Sequence, residues 1–294
     1  MFAEMDDFYQ RLQNRLEQCR GERTGLEEIL DFYGKVLNAQ QQAQQDTPIP
    51  EIDLAEDRLN VKLDEGFPLM DPEDFLVDRD SLERLFRNLC RLSSDENPVL
   101  ASAGKTLLEA LDSNKLDMTG LSKAVLDNNA EAMDEYAKDV GVPQPVLQAL
   151  VKLSLQPLLL ATAAVVAKGF AEEKWQQSYC PICGGLPAIA ALVGEEGKRE
   201  ALCSFCGHFW QLPRLKCPFC STDKQEDLRY FYGEGEDLYR VYVCEQCKGY
   251  IKVVDTREGG DPRGLAVDDV VTAHLDLLAE EEGYQRKAPR LWGI

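Results

Sequence analysis

Histidine is nearly absent: the 294 residues include two, His208 and His274. They fall on different predicted elements, and neither has a carboxylate or nucleophile spaced to act with it, so no catalytic constellation emerges and a non-enzyme is expected. A glycine-rich phosphate loop is also missing. Positive charge is scarce, with 32 basic against 52 acidic residues and a net charge of −20. Such a chain repels phosphate backbones, which argues against a nucleic-acid partner. Long apolar runs are lacking too. The best, Leu153–Ala167, falls short of the roughly 20 residues a membrane span needs and contains Gln156 and Pro157, so it reads as a buried core helix without membrane insertion. The opening residues MFAEMDDFYQ lack a basic n-region, an apolar core and a twin-arginine pair, which makes the expected location cytoplasmic.

Cysteine is what the chain has. Eight of ten lie between Cys180 and Cys247, as CPIC, CSFC, CPFC and CEQC. In a reducing compartment such pairs read as metal ligands rather than disulfides. They form two halves: 19 residues separate Cys180/Cys183 from Cys203/Cys206, 23 separate Cys217/Cys220 from Cys244/Cys247, and ten lie between the halves. One CxxC is a weak signal, but four in matching halves specify two consecutive four-cysteine sites. Crossed pairing of Cys203/Cys206 with Cys217/Cys220 stays open.

Each half contains a predicted hairpin that folds its second pair back on its first: Leu186–Val193 with Arg199–Leu202, then Asp227–Tyr232 with Leu238–Val243. Four thiolates suit zinc or a single iron, one ion per site, and the spacing does not separate them. Pro181 and Pro218 pre-set two of the turns, while Gly184 and Gly207 let amides turn toward sulfur. Ser221 in the equivalent place predicts fewer such bonds in the second site. His208 reads as a partly exposed strand residue. Trp210, Tyr230, Phe231, Tyr232, Tyr239 and Tyr242 read as hairpin cores. Arg214, Lys216, Arg240, Lys248 and Lys252 read as charge compensation for the thiolates. Cys19 and Cys90 read as core filler.

The region before the cysteines is helical and carries most of the acidity, −15 over residues 1–174. Phe8, Leu12, Leu16 and Cys19 mark a helix over 4–20, and Thr24 with Glu27 predicts a capping box for the next, which ends in a solvated Gln40–Gln45 run. Thr47–Pro50 reads as a linker. Asp80 and Glu83 predict a second capping box, and helices are expected over 97–112, 119–139 and 144–170, the last central. The helical part should end between Gly169 and Ser178. Past a loop at 256–264, Asp268 or Asp269 is expected to cap one helix to about Glu282, with Leu291 and Trp292 docking the tail.

The residues around the cysteines carry a more specific resemblance. They include Trp175, Tyr179–Gly185, Pro187, Leu202–Gly207 and Trp210, then Arg240–Lys252, Asp268, Asp269, Thr272, Leu275–Ala279, Gly283 and Tyr284. This set is similar to FdhE-type formate dehydrogenase accessory proteins. The resemblance implies a multidomain α+β fold: a helical domain at 1–174, rubredoxin-like modules of the zinc-ribbon kind at 175–213 and 214–255, and a C-terminal loop and helix at 256–294. It implies a cytoplasmic assembly factor that binds the formate dehydrogenase catalytic subunit, with iron or zinc held by Cys180, Cys183, Cys203, Cys206, Cys217, Cys220, Cys244 and Cys247. Iron would allow a redox role on the client's active site. A nucleic-acid-binding zinc-ribbon protein is the weaker alternative, and the oligomeric state is open.

Overall fold

The computed structural model describes residues 2–47, 52, 56–94, 96, 98–168 and 175–290. The linker at 48–50, the first part of the expected boundary after Gly169, and Leu291 with Trp292 lie outside the described residues. The helical region contains α1 (Phe2–Glu22), α2 (Glu27–Asp46), α3 (Glu56–Asp64), α4 (Arg79–Ser93), α5 (Pro98–Asp112), α6 (Met118–Leu126), α7 (Ala130–Val140) and α8 (Gln144–Ala167).

Helix α8 is apolar around most of its circumference and is therefore surrounded, touching α2, α4, α6 and α7. Leu147, Val151, Leu155 and Val166 are fully buried along it. The hydroxyls of Ser154 and Thr162 donate to the carbonyls of Leu150 and Leu158, so even its polar residues are satisfied within the helix. At 24 residues it is longer than the apolar run and passes the length and composition test for a membrane span, yet 72% of its most apolar window is buried within the fold.

Local signals misplace several boundaries. The expected helix over 119–139 is two helices, because Asn128 takes a left-handed φ of 51° and Asn129 caps the second by accepting from the Ala132 amide. The cap of α4 is Asp78, which accepts from Ser81, two residues before the expected Asp80. Thr24 and Glu27 form no capping box. Leu26 is the N-cap, and Glu27 accepts from the Gly25 amide instead. The glutamine run is not solvated throughout: Gln40 and Gln44 are buried, and Gln40 donates to the Leu153 carbonyl on α8 at 2.7 Å.

The sheet region contains β1 (Pro187–Val193), β2 (Lys198–Cys203), β3 (Phe209–Leu212), β4 (Leu228–Phe231), β5 (Tyr239–Cys244) and β6 (Gly249–Asp255), followed by α9 (Leu265–Val271), α10 (Ala273–Glu281) and the short β7 (Gln285–Arg286). The order is β3-β2-β1-β6-β5-β4, with β7 also on β6. Each half is a three-stranded antiparallel unit, and the two repeat in the same sense along the sheet. The first strand of one therefore lies parallel to the third strand of the other, with Ile189 beside Lys252 and Leu192 beside Asp255. Strands β3 and β6, which follow the second cysteine pair of each half, escape a reading based on hairpins alone. Ala188, Ile189, Ala190 and Ala191 are all buried because β1 is central and covered by α9.

The C-terminal segment forms two short helices rather than one, broken at Thr272. Asp268 and Asp269 are not caps. They lie buried within α9, which docks the sheet to the first helix. Arg15 of α1 reaches Asp268 at 2.8 Å, and the Tyr239 hydroxyl donates to the same carboxylate at 2.7 Å. Near the sheet edge, Arg23 pairs with Glu236 at 2.7 Å, and His274 lies 3.2 Å from the same side chain. The Arg23 guanidinium holds the Glu236 carboxyl below its ordinary range. Its stabilisation is therefore present above the usual glutamate pKa of about 4.3 and lost as pH falls through the lowered value. Glu236→Gln is expected to cost about 1 kcal/mol near neutrality in urea unfolding, with a smaller deficit below about pH 4.

Candidate metal centres

The turns holding the cysteines share one backbone device. The residue after the second cysteine of each pair is left-handed: Gly184 (φ 72°), Gly207 (75°), Ser221 (60°) and Lys248 (53°). Glycine adopts this conformation freely, whereas serine and lysine do so at a local cost of about 1 kcal/mol. Ser221 thus makes the turn that glycine would make. Amides bend onto sulfur in both halves: Gly185 donates to Cys183, Phe205 to Cys203 and Phe219 to Cys217, each at 3.4 Å. The amides of Thr222 and Gly249 stabilise the Cys220 and Cys247 thiolates in the same way. Serine at position 221 therefore does not strip the second cluster of amide–sulfur contacts.

The hairpins bring Cys180, Cys183, Cys203 and Cys206 together, and separately Cys217, Cys220, Cys244 and Cys247; within each group one ligand atom per residue lies within 4.8 Å of the others. Crossed pairing does not occur. Sulfur separations are 3.7 Å for Cys180–Cys206, 3.5 Å for Cys183–Cys203 and Cys183–Cys206, and 3.7 Å for Cys217–Cys247 and Cys220–Cys244. A tetrahedron with metal–sulfur bonds of about 2.3 Å has edges of roughly 3.8 Å. A disulfide would need about 2.05 Å. The donor set and its spacing thus fit one tetrahedral thiolate-bound ion in each cluster.

Electrostatics point the same way. Burial pushes Cys180 and Cys206 well above an ordinary thiol, and Cys183 and Cys203 add to the rise at both. At Cys203 burial acts in that direction too, but hydrogen bonds from the neighbouring cysteines outweigh it and hold the thiol low. Four thiols this close cannot ionise together without a cation among them. The clusters differ in cover: all four cysteines of the first are buried, while Cys220 and Cys247 of the second are half-exposed. Cys19 and Cys90 are buried far from either group, with thiols pushed by burial up to about 11 and about 12.

The other candidate residues divide. His208 precedes β3 rather than lying in a strand, replaces no thiolate, and is pushed by burial down to about 4. Trp210 and Tyr239 are core residues, but Tyr230 and Tyr232 are 53% and 60% exposed. Arg240 pairs with Asp255 and Lys248 with Glu245, so neither serves chiefly the thiolates. Lys252 departs furthest from expectation. It is 1% exposed and holds Asp269 at 2.9 Å and Asp276 at 2.8 Å. Arg286 bridges the same two carboxylates at 2.9 and 3.0 Å, and the Tyr250 hydroxyl donates to Asp276 at 2.7 Å. This buried network locks β6, α9, α10 and β7 together. Its sequence signal was a lysine inside the apolar strand Tyr250–Val254.

A helical region docked on a tandem-repeat sheet defines an α+β protein with two four-cysteine clusters that could each hold a metal ion. Known proteins resemble it. Residues 215–292 match the family model described as "FdhE, C-terminal domain". An FdhE homolog from Aquifex aeolicus is 33% identical over 150 residues, and one from Stutzerimonas stutzeri is 34% identical over 123 residues. These matches cover 49% and 40% of this chain, and they span about half or less of those relatives' own length, 51% and 39%. The FdhE protein of Salmonella paratyphi A is 26% identical over 98% of this chain and 88% of its own. The crystal structure of the FdhE protein from Pseudomonas aeruginosa shares the fold, with a TM-score of 0.70 at 22% identity over 97% of this chain and 95% of that one. The chain is thus similar to FdhE proteins over nearly its whole length and shares their fold.

Proposed function

We propose that this protein is a cytoplasmic accessory factor that binds the catalytic subunit of formate dehydrogenase and supports its maturation, acting by binding rather than by turnover. The carrying observation is the pairing of similarity to FdhE proteins with two preformed four-cysteine clusters on one sheet. Cys180, Cys183, Cys203 and Cys206 would hold one ion, and Cys217, Cys220, Cys244 and Cys247 the other. Zinc would brace the turns, while iron would add one-electron chemistry. Anaerobic co-purification tests this: the full chain should retain a formate dehydrogenase catalytic subunit through washing, and failure to do so under conditions that preserve both metals counts against it.

The partial exposure of Cys220 and Cys247 favours a second reading, in which the second site carries iron and exchanges electrons with the client. Zinc alone in both sites after anaerobic purification would rule that out.

A further inference from the structure

A buried cation beside the second cluster comes from the first half of the sheet. Arg199 projects from β2, the strand that ends at the first-cluster cysteine Cys203, yet it lines the same cavity of about 330 Å³ as Cys217 and Cys244. It is 5% exposed. Its Nη2 donates to the carbonyls of Pro213 and Lys216 at 2.6 and 2.8 Å. The Lys216 carbonyl belongs to the peptide unit that leads into Cys217, so the guanidinium is fixed beside that cysteine's turn. Its buried Nε has no partner among the described residues, and Glu200, next along the strand, faces Arg263 instead. Burial pushes the guanidinium down to about 10, while Tyr242 and Cys217 act the other way, so it stays charged at neutral pH. The neighbouring cations are differently placed. Arg214, Lys216 and Arg229 are exposed, where water and salt screen them. Arg229 acts on Glu245, and Arg214 lies toward Arg257, which pairs with Asp255.

Burying a guanidinium without a carboxylate is costly unless an opposite charge lies close by. Four thiolates around one divalent ion supply that charge, because they exceed the charge of the ion they hold. We propose that Arg199 is the charge-balancing residue of the second metal site, a cation lent by one half of the sheet that offsets the thiolates of the other and tightens their hold on the ion. It acts through the cysteines and does not touch the metal, so it is a positioning residue. The two halves are thereby coupled by charge as well as by the seam between β1 and β6. The proposal rests on the reading that the second cluster holds a metal ion and is independent of any client.

Competition between a zinc chelator and the full-length, zinc-loaded protein tests the proposal. Arg199→Gln keeps a donor for the linker carbonyls but loses the charge, whereas Arg199→Lys keeps the charge. Arg199→Gln is expected to hold the second ion about tenfold or more weakly and Arg199→Lys to stay within about threefold of the parent, with the first ion unchanged in both. The second ion is the one missing from Cys247→Ser. Iron-loaded protein adds a readout that a purely bracing role would not move. A nearby cation favours the reduced, more negative site, so one of the two reduction steps should shift to lower potential in Arg199→Gln and stay in place in Arg199→Lys. Complete loss of the second ion from Arg199→Gln alone supports the proposal in the same way. Equal weakening in both variants would show that the carbonyl bonds matter and the charge does not, and overturns it. Parental zinc affinity or unmoved reduction steps in Arg199→Gln overturn it too. A parent that holds a single zinc ion overturns the metal reading itself, and the proposal with it.

Discussion

Cys180→Ser is expected to remove one metal ion per chain and unfold the first half of the sheet. Cys180 is fully buried, and its turn supports more than its own cluster. The carbonyls of Pro181 and Ile182 accept from the amides of Leu69 and Met70 at 2.9 and 2.8 Å, so the same turn anchors the helical region. Beside it, the Tyr179 hydroxyl donates to the Gly66 carbonyl at 2.5 Å. Structural zinc contributes an apparent 10–16 kcal/mol, roughly, in small metal-folded domains, as much as the ~5–15 kcal/mol that stabilises a whole domain. Losing one thiolate leaves three buried sulfurs without a complete site. Amides of β1, β2 and β3 should then exchange hydrogen rapidly, while β4 and β5 stay protected. Cys90→Ala, equally buried but outside both clusters, should keep two metals and lose no more than about 1–2 kcal/mol. Full metal content in Cys180→Ser would show that the ligand assignment is wrong.

Lys252→Met is expected to cost about 3–5 kcal/mol, measured as a lowered urea midpoint with metal content unchanged. The network holds two carboxylates, Asp269 and Asp276, against two cations, Lys252 and Arg286, almost wholly out of water. Burial alone would raise the Asp269 carboxyl; Lys252 and Arg286 reverse this and hold it below its ordinary range. Removing the lysine leaves one carboxylate in excess where solvation cannot compensate. The double variant Lys252→Met/Asp276→Leu restores the charge balance by leaving Asp269 to Arg286. It is expected to recover much of the loss, although the Tyr250 hydroxyl then lacks its acceptor. A double variant less stable than the sum of its singles would mean that the network acts through shape rather than charge.

These two sites also show what the sequence reveals and what it conceals. The eight cysteines were legible because two residues between ligands and a hairpin between pairs leave the chain few ways to arrange them. The helical face of Leu12, Leu16 and Cys19 was legible for a similar local reason. The parallel seam between β1 and β6 was not, because it joins residues some 60 positions apart and no turn announces it. Lys252 was misread because charge on a strand usually marks its solvent face, and its partners are supplied by helices 17 to 24 residues later. The caps at Asp78 and Asn129 show a milder failure: several polar residues stood close enough to cap, and tertiary packing chose among them.

Metal content and the visible spectrum of anaerobically purified full-length protein test the central claim most directly. Two ions per chain are expected in the parent and one in Cys180→Ser, with all cysteines reduced once metal is removed. Iron would give a coloured oxidised protein and zinc a colourless one. Fewer than two ions in the intact parent, or disulfides joining the cysteine pairs, would contradict it.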